Sequence, residues 1–278
     1  MSLMSKLSAI LLLSISLFAS AESDLTGFLK KNFGKNPNIV SVDVKVIEKV
    51  PMEVLKDWDA YVVMINAEVK AGKSTKPITQ RMIYFVNGDI MTKDLINMKT
   101  GRPLSAVLAP KFKPEFYTKE NLIYGNADAK HKVAIFSDPL CPFCRRFVPE
   151  AINEMRSHPD KIAIYYYHLP LASMHPAAVA LTKAAIAAEH QGQHDVVLKM
   201  YKVEINAKET DETKILAAFN KQLNTNIKIS DIHTPEVEAQ FRRDQDIVMN
   251  LMVSGTPTLY FDGVKDGSKK KYKTVLGK

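Results

Sequence analysis

The sequence predicts an α+β / α/β protein in two domains: a small domain of one helix and an antiparallel sheet, then a larger one mixing strands and helices. Three observations predict it. Val40, Val42, Val44 and Val46 alternate with polar residues, and residues 60–69 continue in that style, the two-residue period of a sheet with one covered face. Val133 to Phe136 is an apolar run of strand length, after which Phe147, Val148, Ile152 and Met155 recur at helical spacing. The 278 residues are also too many for one small core.

The chain opens with Lys6, the apolar run Leu7 to Phe18, and Ala19-Ser20-Ala21. That is the plan of a signal peptide: a short positive region, an apolar core of about a dozen residues and a small-residue cleavage site. The run is too short to cross a bilayer, which takes about 20 residues. No cysteine lies near the cleavage point, so a lipid anchor is not expected. Residues 1–21 are expected to be removed near Ala21 and the mature chain exported.

The first domain is expected over residues 22–97. A helix over 24–34 carries Leu25, Phe28, Leu29 and Phe33 on one face and stops at Gly34. After the strands at 40–46 and 60–69, Met82 to Val86 and Ile90 to Leu95 flank Asn87-Gly88, a pair favoured in type I′ hairpin turns. Trp58, the single tryptophan, reads as a core or sheet-edge anchor. A domain this small has little core of its own and exposes sheet edges, which makes a homodimer the expected assembly. Residues 98–118, with Pro103, Pro110 and Pro114, read as a linker with room for one helix.

The second domain is expected over residues 119–278. Leu122-Ile123-Tyr124 is a short strand, Val133 to Phe136 the central strand, 142–157 a helix and Ile162 to Tyr167 the next strand. Helical patterns cover 176–190, Val196 to Ile205, Ile215 to Leu223 and Pro235 to Met252. Thr258 to Phe261 is a strand, Asp262-Gly263 a turn, and a last strand is expected around Tyr272 to Leu276.

Composition is that of a globular protein, with 46% apolar and 24% charged residues. The formal net charge of +8 falls to about +7 without Lys6. That charge is spread out, so nucleic acid is not an expected partner. The one dense run, Lys269-Lys270-Lys271 with Lys273, reads as a solvated loop rather than a docking patch.

The chemistry sits in Phe136-Ser137-Asp138-Pro139-Leu140-Cys141-Pro142-Phe143-Cys144-Arg145-Arg146, which holds both cysteines of the chain. A strand that ends in C-x-x-C and turns into a helix is the redox form of that motif. Thiol–disulfide exchange needs one thiolate to attack and a second thiol near enough to resolve the mixed disulfide. Pro142 suits the first helical position, where its missing N–H costs nothing. Cys141 then caps the helix, where unpaired amides and the dipole favour its thiolate, and C-x-x-C thiols of this kind fall at roughly 3.5–7.5. Arg145 and Arg146 are expected to add positive potential, and Cys144, one turn in, is the more buried resolving thiol. A structural zinc site lacks further cysteines, a c-type haem lacks its histidine, and a static disulfide of this span would stabilise little. No metal and no cofactor beyond a redox-active Cys141–Cys144 disulfide is expected.

Gly255-Thr256-Pro257 precedes a strand. If Pro257 is cis, Thr256 presents its backbone N–H and C=O beside the cysteines, and an unfolded substrate can pair with them as an added strand. Substrate contacts are therefore expected at Thr256, Pro257, Pro142 and Phe143. His190 and His194 read as surface residues, and His168 and His175 flank a loop that reads as structural. Asp138 reads as a turn cap, with tuning of Cys141 the weaker reading.

The order of signal peptide, small αβ domain, linker, S-D-P-L-C-P-F-C-R-R and later G-T-P resembles the periplasmic DsbC/DsbG-type thiol:disulfide interchange proteins, with F-S-D-P-L-C-P-F-C closest to the DsbG branch. The resemblance implies a thioredoxin-like catalytic domain with a helical insertion, a cystatin-like dimerisation domain and a V-shaped homodimer in the periplasm. It makes Cys141 the nucleophile, Cys144 the resolving cysteine and Thr256-Pro257 the cis-proline pair. Two departures stand out. Ile135 occupies the place of the buried carboxylate of thioredoxin and DsbA types, and Phe143 that of the histidine of the strong oxidant. The expected activity is isomerisation or reduction of non-native disulfides in unfolded or misoxidised exported proteins, with an inner-membrane thiol reductase as recycling partner. The motif leaves open a dimeric oxidase kept oxidised by a quinone-linked membrane partner, a sulfenic acid reductase, and a holdase chaperone with secondary redox activity.

Overall fold

The computed structural model describes residues 21–277 apart from 53, 54, 73, 107 and 109. The leader expected over 1–21 lies outside the described residues, except Ala21, which falls in a helix described over 21–34 (α1). Among the described residues no helix is long and apolar enough to cross a membrane. The chain divides into two compact units, Met1–Leu108 and Ala109–Lys278.

In the first unit α1 packs with an antiparallel sheet of four strands in sequence order: β1 (Ile39–Pro51), β2 (Asp59–Ala71), β3 (Ser74–Asn87) and β4 (Ile90–Thr92). Leu25 and Leu29 are buried with Val44, Tyr61, Val63, Ile65, Tyr84 and Val86, and Phe33 packs beside them. Phe28, expected on that face, is exposed instead. The stripe at i, i+4 and i+8 is narrow, and Phe28 falls on its flank. Val40 is also exposed, because a β-bulge between Ile39 and Ser41 breaks the alternation there. Ala60, Phe85 and Leu104 form a second cluster, which Trp58 joins half-buried. The hairpin turn lies one residue later than expected: Asn87 pairs with Ile90, leaving Gly88 and Asp89 central. Only Gly88 has positive φ (54°), which fits a type II′ rather than a type I′ turn.

Residues 98–118 carry more structure than their prolines imply. β5 (Ile96–Asn97) pairs with β6 (Arg102–Pro103), and a 3₁₀ turn spans Leu104–Ala106. Beyond 109, Phe112 is buried among Phe136, Tyr167 and Tyr260 in the second unit, followed by a 3₁₀ turn at Pro114–Phe116.

The second unit has a five-stranded sheet in the order β11-β10-β8-β9-β7. These are β7 (Leu122–Tyr124), β8 (His131–Ser137), β9 (Ile162–His168), β10 (Thr258–Phe261) and β11 (Val264–Lys265). β8 and β9 run parallel, joined through α2 (Pro142–Arg156), and β10 pairs antiparallel with β8. Both faces of the sheet are covered, which is why β9 is buried along its whole length and reads as an unbroken apolar run. Val133 and Ile135 join the cluster of α2 and the helical insertion, while Ala134 and Phe136 join Phe112, Ile247 and Leu251 on the opposite face.

The insertion is built around α3 (Ala177–His190), whose ten buried residues mark a helix enclosed on most sides. It packs against α4 (Val196–Met200), α5 (Glu212–Leu223), α6 (Ile229–Ile232) and α7 (Pro235–Asn250). The helix expected to Ile205 ends at Met200: the Val203 carbonyl takes the Arg145 guanidinium (2.6 Å), and Glu204 trades hydrogen bonds with the Gln222 side chain. The last strand expected near Tyr272 is a correction, since Lys271–Val275 is a helix (α8). The hairpin closes earlier, at Asp262 and Gly263, both at positive φ. Buried Asp266 then accepts from the Ser268 and Lys271 backbone amides (3.0 and 2.9 Å), starting α8, and Tyr272 anchors it in the core.

A buried polar junction fastens α7 to the end of β9. Asn121 Nδ2 donates to the Tyr166 carbonyl (2.8 Å) and to Asp244 Oδ1 (2.9 Å), and the His168 amide donates to Asp244 Oδ2 (2.9 Å). Burial raises the Asp244 carboxyl from 3.8 to about 6, with His168 and these hydrogen bonds pulling the other way. The folded chain therefore takes up this proton at higher pH than the unfolded chain, and stability from the group is gained as pH falls through 6 and lost as it rises. Asp244→Asn does not titrate. Urea unfolding from neutral pH to about pH 4 should show the wild type gaining on the variant by about 2 kcal/mol; a constant gap would contradict the assignment.

Candidate active site

The site forms where β8 ends. Ser137 closes the strand, and Asp138 Oδ1 accepts from the amides of Leu140 (2.7 Å) and Cys141 (3.2 Å), folding the next three residues into a tight turn. Cys141 is the N-cap of α2, in extended backbone (φ −67°, ψ 123°), with Pro142 as first helical residue. The Cys141 carbonyl accepts the first helical hydrogen bond, from the Arg145 amide (3.0 Å). No side chain caps this end, so the amides of the first turn face the Cys141 side.

Both cysteines are free thiols and their surroundings differ. Cys141 retains 5% exposure and Cys144 none, which makes Cys141 the sulfur that a partner can reach. Burial pushes the Cys144 thiol up to about 11, and the neighbouring Ser137 hydroxyl and Asp138 backbone oppose that shift.

The register between β10 and β8 supplies the facing wall. Thr258 pairs with Phe136, which sets Gly255-Thr256-Pro257 against the turn that carries Cys141. The Thr256–Pro257 peptide is cis, and the Thr256 carbonyl lies 3.8 Å from Cys141 Sγ. Thr256 therefore meets Cys141 through its backbone carbonyl, while its buried hydroxyl has no hydrogen-bond partner among the described residues. Phe143 is 64% exposed on the first turn of α2, with the Arg146 guanidinium 5.3 Å over its ring. Pro142 is exposed and Pro257 buried.

The other expected residues divide. Asp138 caps the turn and more: its Oδ2 accepts from the Leu171 amide (2.8 Å) and meets His175 Nδ1 (2.9 Å), tying the loop after β9 to the site. His168 lies in the Asp244 junction, its ring edge-on to Tyr166. His190 Nε2 meets Gln240 Oε1 (2.7 Å), and no group of three or more His, Cys, Asp or Glu among the described residues could hold a metal ion. Arg145 does not face the sulfurs: its guanidinium donates to the carbonyls of Pro139 (2.9 Å) and Val203 (2.6 Å), clamping the turn to the insertion. The sequence reading missed Ser137, Tyr166 and Tyr201. The Tyr201 hydroxyl donates to Ser137 Oγ (2.6 Å) and pairs with the Tyr166 hydroxyl (2.7 Å). Ser137 is the one position of β8 from Val133 onward with a side-chain hydroxyl, a usable signal; Tyr201 lies 64 residues away with no pattern to connect it.

Comparison with known proteins agrees with this geometry. A family model described as thioredoxin matches residues 117–277. The probable disulfide bond formation protein D of Bacillus anthracis is 25% identical over 157 residues, covering 53% of this chain and 71% of that protein. BdbD from Bacillus subtilis, in its oxidised form, is similar with a TM-score of 0.47 and 17% identity, over 61% of this chain and 97% of the other. A thioredoxin-like oxidoreductase from Silicibacter pomeroyi has a TM-score of 0.44 and 20% identity, over 58% of this chain and 96% of the other. The family match spans more than half of the chain and includes both cysteines and Thr256-Pro257. The chain belongs to the thioredoxin family and is a thiol–disulfide oxidoreductase.

Proposed function

We propose that this protein isomerises or reduces non-native disulfides in exported proteins, with Cys141 as nucleophile and Cys144 as resolving thiol. The observation that carries the reading is the asymmetry of the two sulfurs: one at a helix N-terminus beside an available backbone carbonyl, the other dry. Cys141 thiolate attacks one sulfur of a substrate disulfide, that S–S bond breaks, and the released substrate thiolate takes a proton. From the mixed disulfide two exits are open. A second substrate thiolate displaces Cys141 and leaves a rearranged disulfide, or Cys144 attacks Cys141 Sγ and the substrate departs as a dithiol carrying two electrons. Thr256 supports substrate as an added strand, with buried Pro257 holding it in place, and the exposed Pro142 and Phe143 offer apolar contact without sequence specificity.

The same reading places the protein in the periplasm as a homodimer of the DsbC/DsbG type, with the first unit as a cystatin-like dimerisation domain. The signal-peptide plan supports export, and the unpaired outer edges of β1 and β4 among the described residues support self-association. A reductase in the inner membrane would return the dithiol after each reductive turnover. A second reading is oxidation, with a quinone-linked membrane partner. It is favoured by the similarity to the Bacillus anthracis relative, a probable disulfide bond formation protein.

Substitution of each cysteine tests the assigned roles. Cys141→Ser should reduce refolding of a scrambled-disulfide substrate to the uncatalysed rate. Cys144→Ser should still capture substrate and accumulate mixed disulfides visible on non-reducing gels; trapping by Cys141→Ser instead would reverse the assignment. Acid quench and alkylation of cells then separates the two directions. A mostly reduced Cys141–Cys144 pair is the expected result, and a mostly oxidised pair would replace isomerisation with oxidation.

A further inference from the structure

The second exit above requires Cys144 to ionise where nothing charged is at hand to help. Ile135, fully buried, stands where a carboxylate would serve. Beside the Cys144 sulfur stand the Ser137 hydroxyl, the Asp138 backbone and Cys141. Asp138 itself spends both carboxylate oxygens on the amides of Leu140, Cys141 and Leu171 and on His175.

Behind Ser137 lies a pair of hydroxyls with no role in the exchange described so far. Ser137 is 0%, Tyr166 2% and Tyr201 5% exposed, so these groups are closed off from bulk water. The Tyr201 hydroxyl donates to Ser137 Oγ, which leaves Ser137's own hydrogen free for the sulfur. We propose that Ser137 is the hydroxyl that stabilises the Cys144 thiolate as it attacks Cys141, and that Tyr201 and Tyr166 hold and polarise it. Ser137 is a positioning residue in this scheme, and the proposal rests on the exchange reading above.

Three features favour this arrangement. A donor hydrogen-bonded from behind is a stronger donor in front, and the effect grows where water is excluded. A hydroxyl also adapts by rotation, facing the thiol in one state and donating to the thiolate in the next. A hydroxyl chain carries no net charge, whereas a neighbouring carboxylate would repel the thiolate it helped to form. The proton balance is closed without Ser137 giving one up. Cys144 loses its proton, the Cys144–Cys141 bond forms, the Cys141–substrate bond breaks, and the departing substrate sulfur ends with a proton.

The test combines a titration with a kinetic ratio. In a Cys141→Ala background, the Cβ carbon-13 NMR shift of labelled Cys144 reads the ionisation of that thiol alone. Adding Ser137→Ala should move that midpoint upward by about one pH unit. In the full protein, Ser137→Ala should lower the rate of substrate release relative to capture about tenfold. Tyr201→Phe keeps the ring and should move both readouts the same way by about threefold. Unchanged midpoints and ratios in both variants would overturn the proposal, since a merely structural network would not move either. If Ser137→Ala does not fold, Tyr201→Phe decides alone. Should wild-type protein capture no disulfide at all, the exchange reading falls, and the Cys144 titration still decides whether Ser137 acts on the sulfur.

Discussion

The site depends on one buried carboxylate. Asp138 is fully buried, yet both its oxygens are committed: one shapes the turn into α2, the other secures the loop after β9 through the Leu171 amide and His175. An unpaired carboxylate in that position would carry a large desolvation cost, which these four donors offset. The gain is positional. The turn fixes where Cys141 meets the end of α2, while the loop it secures walls the site on the β9 side. Arg145 repeats the device from the helix, holding Pro139 and Val203 with one guanidinium. Turn, helix and insertion are thereby tied together within a few residues of the sulfurs.

On that frame the two cysteines receive opposite environments over a short distance. Cys141 has the amides of a helix N-terminus on one side and the Thr256 carbonyl on the other. Cys144 has a dry core softened by the Ser137 hydroxyl. The asymmetry follows from helix geometry: a residue at the cap lies outside the first turn, and one three positions on has rotated toward the sheet. The register of β10 on β8 completes it, because a one-residue slip would turn the Thr256 carbonyl away from Cys141.

Much of this was legible in the sequence, and for local reasons. The β8–turn–α2 unit is specified within about two dozen residues by an apolar run, a C-x-x-C and a helical repeat. The alternating strands of the first unit were equally visible. What was hidden came from tertiary context. Val40 obeys the alternation but sits at a bulge, and α8 was read as a strand because the capping carboxylate of Asp266 stands five residues ahead of it. The helix expected over 142–157 holds as α2, running through Pro149 to Arg156 because Ala151, Ile152 and Met155 are buried in the core. Arg145 and Arg146 read as a positive field on Cys141, and only the structure shows the first occupied by two carbonyls and the second set over Phe143. Partners chosen across long separations leave no trace in spacing.

Those two arginines bear on the direction of exchange. A strongly oxidising dithiol is one whose reduced form is stabilised, chiefly by favourable charge at the exposed thiolate. Here the guanidinium of Arg145 is turned to backbone carbonyls, and position 143 carries a phenyl ring in place of an ionisable group. Each 1.4 kcal/mol of reduced-state stabilisation corresponds to about 30 mV in a two-electron couple. On the proposed reading, a site whose Arg145 is turned away is expected on the reducing side of the most oxidising dithiols, near −120 mV. The Cys141–Cys144 potential is thus the quantity on which the proposed direction stands.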